Sequence, residues 1–259
     1  MIKLIYDGLS IVDGNVVYDK EHDNENDIMN TVDPSIYKSE FGNNVYYFGY
    51  AFKDSASRKD RTAVIHWLKG IGDSVIDEKS LISFIDKPIR YFDREVKLSD
   101  IGCIAYPRSG RSQLTNYIIK ELNRFAQHDT IKTSIEFIKN IPQNVYFDWD
   151  SFEADCGDDE NKFKQAKDYI ENTLLPKIHN LDYFSIADSV KPRYRQYIRD
   201  YLTIDEKSEK VIESIEDNGN ILIVDDINTT GATLDEIIRI IRKINNKCSI
   251  YIFTLIGKE

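Results

Sequence analysis

The segment Ile221-Leu-Ile-Val-Asp-Asp-Ile-Asn-Thr-Thr-Gly-Ala-Thr233 decides the fold of this chain. Four apolar residues in a row, without polar alternation, fit a strand covered on both faces. Asp225 and Asp226 follow at its carboxyl end. Neighbouring strand residues point to opposite faces, so the two carboxylates are placed for different tasks. A turn of small residues comes next, and then a helix with apolar positions at Leu234, Ile237, Ile238, Ile241 and Ile244. Strand, turn and helix in this order form the unit of a parallel sheet with helices packed on it. Ligands of such sheets gather beyond the carboxyl ends of the strands.

The chemistry of the turn narrows the ligand. A helix N-terminus presents unpaired N–H groups and the positive end of the helix dipole, and threonine hydroxyls add donors. Gly231 can adopt a positive φ and lets a ligand approach the backbone. Asn228, Thr229, Thr230, Gly231, Ala232 and Thr233 therefore read as a phosphate cradle. Two carboxylates just upstream suit hydroxyl groups or a magnesium-bound ligand better than a second phosphate. A phosphorylated sugar satisfies both halves.

A similar arrangement occurs earlier in the chain. The apolar run "IGCIAY" (101–106) breaks into "PRSGRS" (107–112), and a helical face follows at Leu114, Tyr117, Ile118, Leu122 and Phe125. Further strands are expected at "TIKTSIEFI" (130–138), with a helical continuation as the alternative, and at "YFSIADSV" (183–190) and "CSIYIFTLIG" (248–257). The start, "MIKLIYDGLSIVDG", reads as two strands around a turn. "DKEHDNENDIMN" (19–30) and the basic "KDSASRKDR" (53–61) read as loops, and "TAVIHWLKGIG" (62–72) as a short helix ending at Gly70 or Gly72. "DWDSFEADCGDDE" (148–160) reads as an acidic loop before a polar helix, and "SEKVIESIEDNG" (208–219) as a helix stopped by Gly219.

With these residues in view, "ILIVDDINTTGAT" resembles the 5-phosphoribosyl 1-diphosphate (PRPP) motif of type I phosphoribosyltransferases. The resemblance implies that Asp225 and Asp226 bind the ribose hydroxyls and that Thr229 to Thr233 wrap the 5′-phosphate. It also implies a pyrophosphate loop, for which Pro107, Arg108, Ser109, Gly110 and Arg111 are the candidates; arginine offers a planar, bidentate fork to such an anion. The expected fold is α/β, a mainly parallel sheet flanked by helices. A core at 96–259 would carry an insertion around 140–180, and 1–95 would form a hood or accessory region. The implied activity is transfer of the phosphoribosyl group to a nitrogen nucleophile, with Mg2+ held mainly by PRPP, with Asp225 as a further candidate ligand, and with pyrophosphate released. The alternative is a non-catalytic PRPP or nucleotide sensor acting through a partner. No residue stands out as a general base.

The basic-aromatic segment "KPRYRQYIR" (191–199) offers Lys191, Arg193 and Arg195 as a closing loop. It equally fits a solvated basic helix with tyrosines packed inward; a nucleic-acid surface is a further reading. A formal charge of −10 over the 259 residues argues against a mainly electrostatic nucleic-acid binder. The acidic run from Asp148 to Glu160 does not place a glycine and a glutamate at the central and terminal positions of an EF-hand loop and reads as a solvated loop, and His66 reads as a packed or surface histidine. Four histidines and three scattered cysteines supply neither a triad nor a zinc site. Cys103, Cys156 and Cys248 lack CxxC spacing and point to a reducing cytoplasm. No apolar run has membrane-helix length. A homo-oligomer or a protein partner is compatible with all of this.

Overall fold

The computed structural model describes residues 3–6, 9–12, 15–18, 35–39, 42–51, 57–71, 76–108, 113–126, 133–157, 159–216, 219–228 and 230–257. In chain order the first elements are β1 (Lys3–Tyr6), β2 (Leu9–Val12), β3 (Asn15–Tyr18), β4 (Ser35–Ser39), β5 (Gly42–Ala51), α1 (Arg58–Lys69), α2 (Glu78–Val96), β6 (Cys103–Pro107), α3 (Leu114–Phe125) and β7 (Thr133–Lys139). Then come β8 (Tyr146–Phe147), α4 (Trp149–Cys156), α5 (Glu160–Tyr169), α6 (Leu175–His179), α7 (Ile186–Ser189), β9 (Ile198–Arg199), β10 (Leu202–Thr203) and α8 (Glu206–Glu213). The chain closes with β11 (Asn220–Ile227), α9 (Ala232–Ile244) and β12 (Ser249–Gly257). The fold is α/β, with a mixed sheet of mostly parallel strands flanked by helices.

These elements fall into two compact units. One takes Met1–Ile135, Ile215–Thr229 and Lys247–Glu259; the other takes Glu136–Ser214 and Thr230–Asn246. The expected division at 95/96 therefore falls inside α2 and within the first unit.

In the first unit β6, β11, β12 and β5 run parallel in that order, and β4 closes antiparallel on β5. Ile221, Leu222, Ile223 and Val224 are all fully buried, as the unbroken apolar run predicts. Each such side chain contributes about 1.5–3 kcal/mol relative to exposure. Tyr47, Phe92 and Phe253 meet with ring centroids 5.3 to 6.0 Å apart, joining β5, α2 and β12. Gly49 is required where α2 crosses β5, because a Cβ there would stand 2.7 Å from Pro88 Cβ. The N-terminal strand pair is present as β1 and β2, with β3 added antiparallel. The loop expected at 19–30 lies outside the described residues.

The second unit holds the antiparallel pairs β7–β10 and β8–β9 and the helices from α4 to α9. Phe147, Phe152, Tyr194 and Tyr197 form its aromatic core. Between α5 and α6 the helix widens into a π turn at Ile170–Leu174. Pro176 accounts for it, since a proline lacks an N–H and its ring crowds the carbonyl one turn back.

Four local expectations are corrected. The acidic segment 148–160 is mostly helix, α4 and the start of α5, because Asp148 and Asp159 cap those helices by accepting from the Ser151 and Lys162 amides at 3.1 and 3.0 Å. The strand expected at 183–190 is the short helix α7, where Ile186 and Val190 are buried one turn apart. The helix α8 ends at Glu213, well before Gly219, and the left-handed glycines among the described residues are Gly70, Gly157 and Gly231. The basic loop gives way to α1 at Arg58.

Candidate functional site

In the first unit, β11 delivers Asp225 and Asp226 to its carboxyl end, with Asp225 in register with Thr254 of β12. They are 9% and 5% exposed, so their charges need partners. Asp225 Oδ1 accepts from the Asp226 amide at 2.9 Å. Asp226 is met by a lysine 157 residues earlier in the chain: Lys69 Nζ lies 3.1 Å from Oδ1 and 3.0 Å from Oδ2.

Lys69 is the last residue of α1, and local structure fixes it there. Val64, Trp67 and Leu68 bury the inner face of the helix. Gly70 then turns left-handed at φ 64°, and the Ile71 amide reaches back to the His66 carbonyl at 2.8 Å. The Lys69 side chain keeps 25% exposure and also lines a cleft of about 290 Å3 with Gly70, Glu78, Gln113 and Tyr117. His66 itself is exposed, beside a buried Trp67.

Beyond β11 the Asn228 amide donates to the Ile256 carbonyl at 2.8 Å, while Thr229 lies outside the described residues. In the second unit Thr230 is exposed and Gly231 adopts φ 80° and ψ −17°, directly before α9. Leu234, Ile237, Ile238 and Ile241 bury one face of that helix, and Tyr201 Oη donates to the Ala232 carbonyl at 2.7 Å. Ala232 is buried and Thr233 half-buried at its first turn. The helix α9 thus starts at Ala232, directly after the left-handed Gly231.

Of the pyrophosphate candidates, Pro107 ends β6 and Arg108 is exposed just after it. Ser109, Gly110 and Arg111 lie outside the described residues. The helix α3 begins at Leu114.

In the second unit, Pro192–Tyr197 forms a short 3-10 helix with Tyr194 and Tyr197 turned inward. Lys191 Nζ sits 4.3 Å from the Tyr169 ring centre, and the Arg193 guanidinium 4.7 Å from that of Tyr194. Arg195 donates to the Val190 and Ala187 carbonyls at 2.9 and 2.6 Å.

Among the described residues, no group of three or more His, Cys, Asp or Glu side chains is arranged to hold a metal ion. Both Asp226 oxygens face the Lys69 ammonium, so this carboxylate is not arranged as a ligand of a resident magnesium ion. No described helix is long and apolar enough to cross a membrane.

Lys69 is the residue sequence reasoning missed. A lysine in the last turn of a helix ordinarily complements the helix dipole, and nothing near it in sequence announces a carboxylate partner.

No family model matches the chain, and no curated protein matches it. Among solved structures, it is similar to a hypoxanthine phosphoribosyltransferase from Staphylococcus aureus, at 15% sequence identity and a TM-score of 0.34. That likeness covers 68% of this chain and 64% of the other, so the chain spans less than two thirds of that protein's length.

Proposed function

We propose that this chain binds PRPP and transfers its phosphoribosyl group to a nitrogen nucleophile, a nucleobase-like acceptor, releasing pyrophosphate. The observation that carries the reading is a pair of nearly buried aspartates at the carboxyl end of a buried parallel strand. Such carboxylates, already supplied with N–H donors, are suited to accept hydrogen bonds from ribose hydroxyls. The segment from Asn228 to Thr233 follows directly and would take the 5′-phosphate, with α9 contributing its N-terminal amides. Pro107 to Arg111 would take the pyrophosphate, and Lys191, Arg193 and Arg195 are the candidates for a closing element.

In the proposed reaction a bond forms between the acceptor nitrogen and C1 of the ribose as the bond from C1 to the pyrophosphate oxygen breaks. The electron pair leaves with pyrophosphate, and the acceptor's N–H proton passes to solvent or to that leaving group. Magnesium enters as the counter-ion of the diphosphate, hence as part of the substrate. Positive charge develops on the ribose ring, and the carboxylates of Asp225 and Asp226 favour it electrostatically. Holding ribose and acceptor together supplies the rest.

Titration calorimetry with magnesium and PRPP tests the reading, followed by pyrophosphate release across a panel of nucleobases. Asp225→Asn combined with Asp226→Asn is expected to abolish measurable PRPP binding while the thermal transition persists; an unchanged affinity overturns the assignment. Tight binding without turnover on any base would assign the chain to the sensing alternative, with a protein partner as its target.

A further inference from the structure

We infer that Lys69 is a resident cation of the aspartate pair, occupying the position a divalent ion would take on Asp226 and keeping free metal out of the ligand-free site. The inference goes beyond the phosphoribosyl reading, because it concerns the charge balance of Asp225 and Asp226 whatever ligand they bind.

Two adjacent, nearly buried carboxylates are a natural trap for magnesium or calcium, which take carboxylate oxygens directly. Here both Asp226 oxygens already face the Lys69 ammonium, and Asp225 Oδ1 accepts from the Asp226 amide. A magnesium ion at Asp226 would need an oxygen at about 2.0–2.1 Å in octahedral geometry. It would therefore have to expel the ammonium and tolerate its charge nearby.

The lysine is not a wandering surface side chain. Its helix is pinned by Val64, Trp67 and Leu68, and the turn at Gly70 ends the helix immediately after it. An ammonium neutralises a carboxylate and still exchanges readily with a hydroxyl donor, whereas a bound divalent ion has to be dehydrated or displaced.

The test is a manganese titration of the full chain without any phosphorylated ligand, reading free Mn2+ by its electron paramagnetic resonance signal. The wild type and Lys69→Arg are expected to show no site tighter than the millimolar range. Lys69→Met and Lys69→Gln should each gain one site, tighter by roughly tenfold or more, since a full positive charge is removed from hydrogen-bonding distance. Adding Asp226→Asn to Lys69→Met should erase that gain. A micromolar site in the wild type overturns the inference without any variant. So does a neutral variant that folds yet binds manganese no better, or a gain that survives Asp226→Asn. PRPP takes no part in the titration, so a chain that bound no PRPP would fail the proposed function and leave these outcomes as they stand.

Discussion

Lys69 Nζ grips both oxygens of Asp226, at 3.0 and 3.1 Å, from 157 residues away in sequence. The pair is intermediate in burial, with side-chain exposures of 25% and 8%. Exposed pairs contribute about 0.2–1 kcal/mol, while breaking a buried pair costs about 3–5 kcal/mol. A double-mutant cycle with Lys69→Met and Asp226→Asn should give a coupling of about 1–2 kcal/mol in urea denaturation. The single Lys69→Met change should be the more harmful one, because it leaves an uncompensated carboxylate. A coupling near zero would mean that the contact is incidental.

Gly231 stands at φ 80°, where a side chain is strained whatever the space around it. Gly231→Ala should therefore lower stability by about 1–2 kcal/mol, and Gly231→Asn by less, because asparagine tolerates the left-handed region better. If α9 begins where it does for the sake of a phosphate, both changes should also weaken binding of ribose 5-phosphate. Calorimetry alongside a melting curve separates the two effects.

Much of the local grammar around β11 was legible. The run 221–224 reads as a doubly covered strand because it has no polar alternation, and all four residues are buried. The apolar stripe from Leu234 likewise identified α9. Helix caps were harder: Asp148 and Asp159 were lost in a run of acidic residues, where a cap and a solvated carboxylate look alike. The segment 183–190 has too few residues for its period to separate strand from helix. Strand order was not legible at all, since placing β5 beside β12 depends on pairing between opposite ends of the chain. Lys69 was hidden for the same reason. The glycine of the pyrophosphate candidate and its second arginine lie outside the described residues, so Pro107 and Arg108 alone locate that loop.

Alkaline pH should weaken the second unit through Tyr197. Burial pushes its phenol from the ordinary 10.0 up to about 12, and the hydrogen bond it donates to Asp155, at 2.6 Å, pushes the same way. The Gln196 amide donates to the same oxygen and opposes the shift. A group with a raised folded pKa contributes stability that is complete below its unfolded value, so the contribution is present below about pH 10 and lost as pH rises toward about 12. Tyr197→Phe should flatten the fall of the melting temperature across that window. An identical alkaline slope in both proteins would assign the loss to other groups.

Among the described residues of the second unit the most buried charge is Glu236, whose side chain is fully enclosed on α9. Arg239 Nε and its terminal nitrogen donate to the two Glu236 oxygens at 2.9 Å each, and Arg239 also pairs with Asp200. Burial opposes the arginine's charge, but Glu236 and Asp200 more than offset it and hold the guanidinium above its ordinary range. The Asp200 amide donates to Glu236 Oε1 at 2.8 Å, which anchors a non-glycine residue at φ 56°. Removing one partner of such a pair strands the other charge, so Arg239→Met should cost about 3–5 kcal/mol. Replacing both charges removes that penalty, and Arg239→Met with Glu236→Met should recover most of the loss despite removing more hydrogen bonds. Urea denaturation of the wild type and the two variants decides it. Equal instability of the single and double variants would mean that the hydrogen bonds to Asp200, rather than a stranded carboxylate, carry the energy.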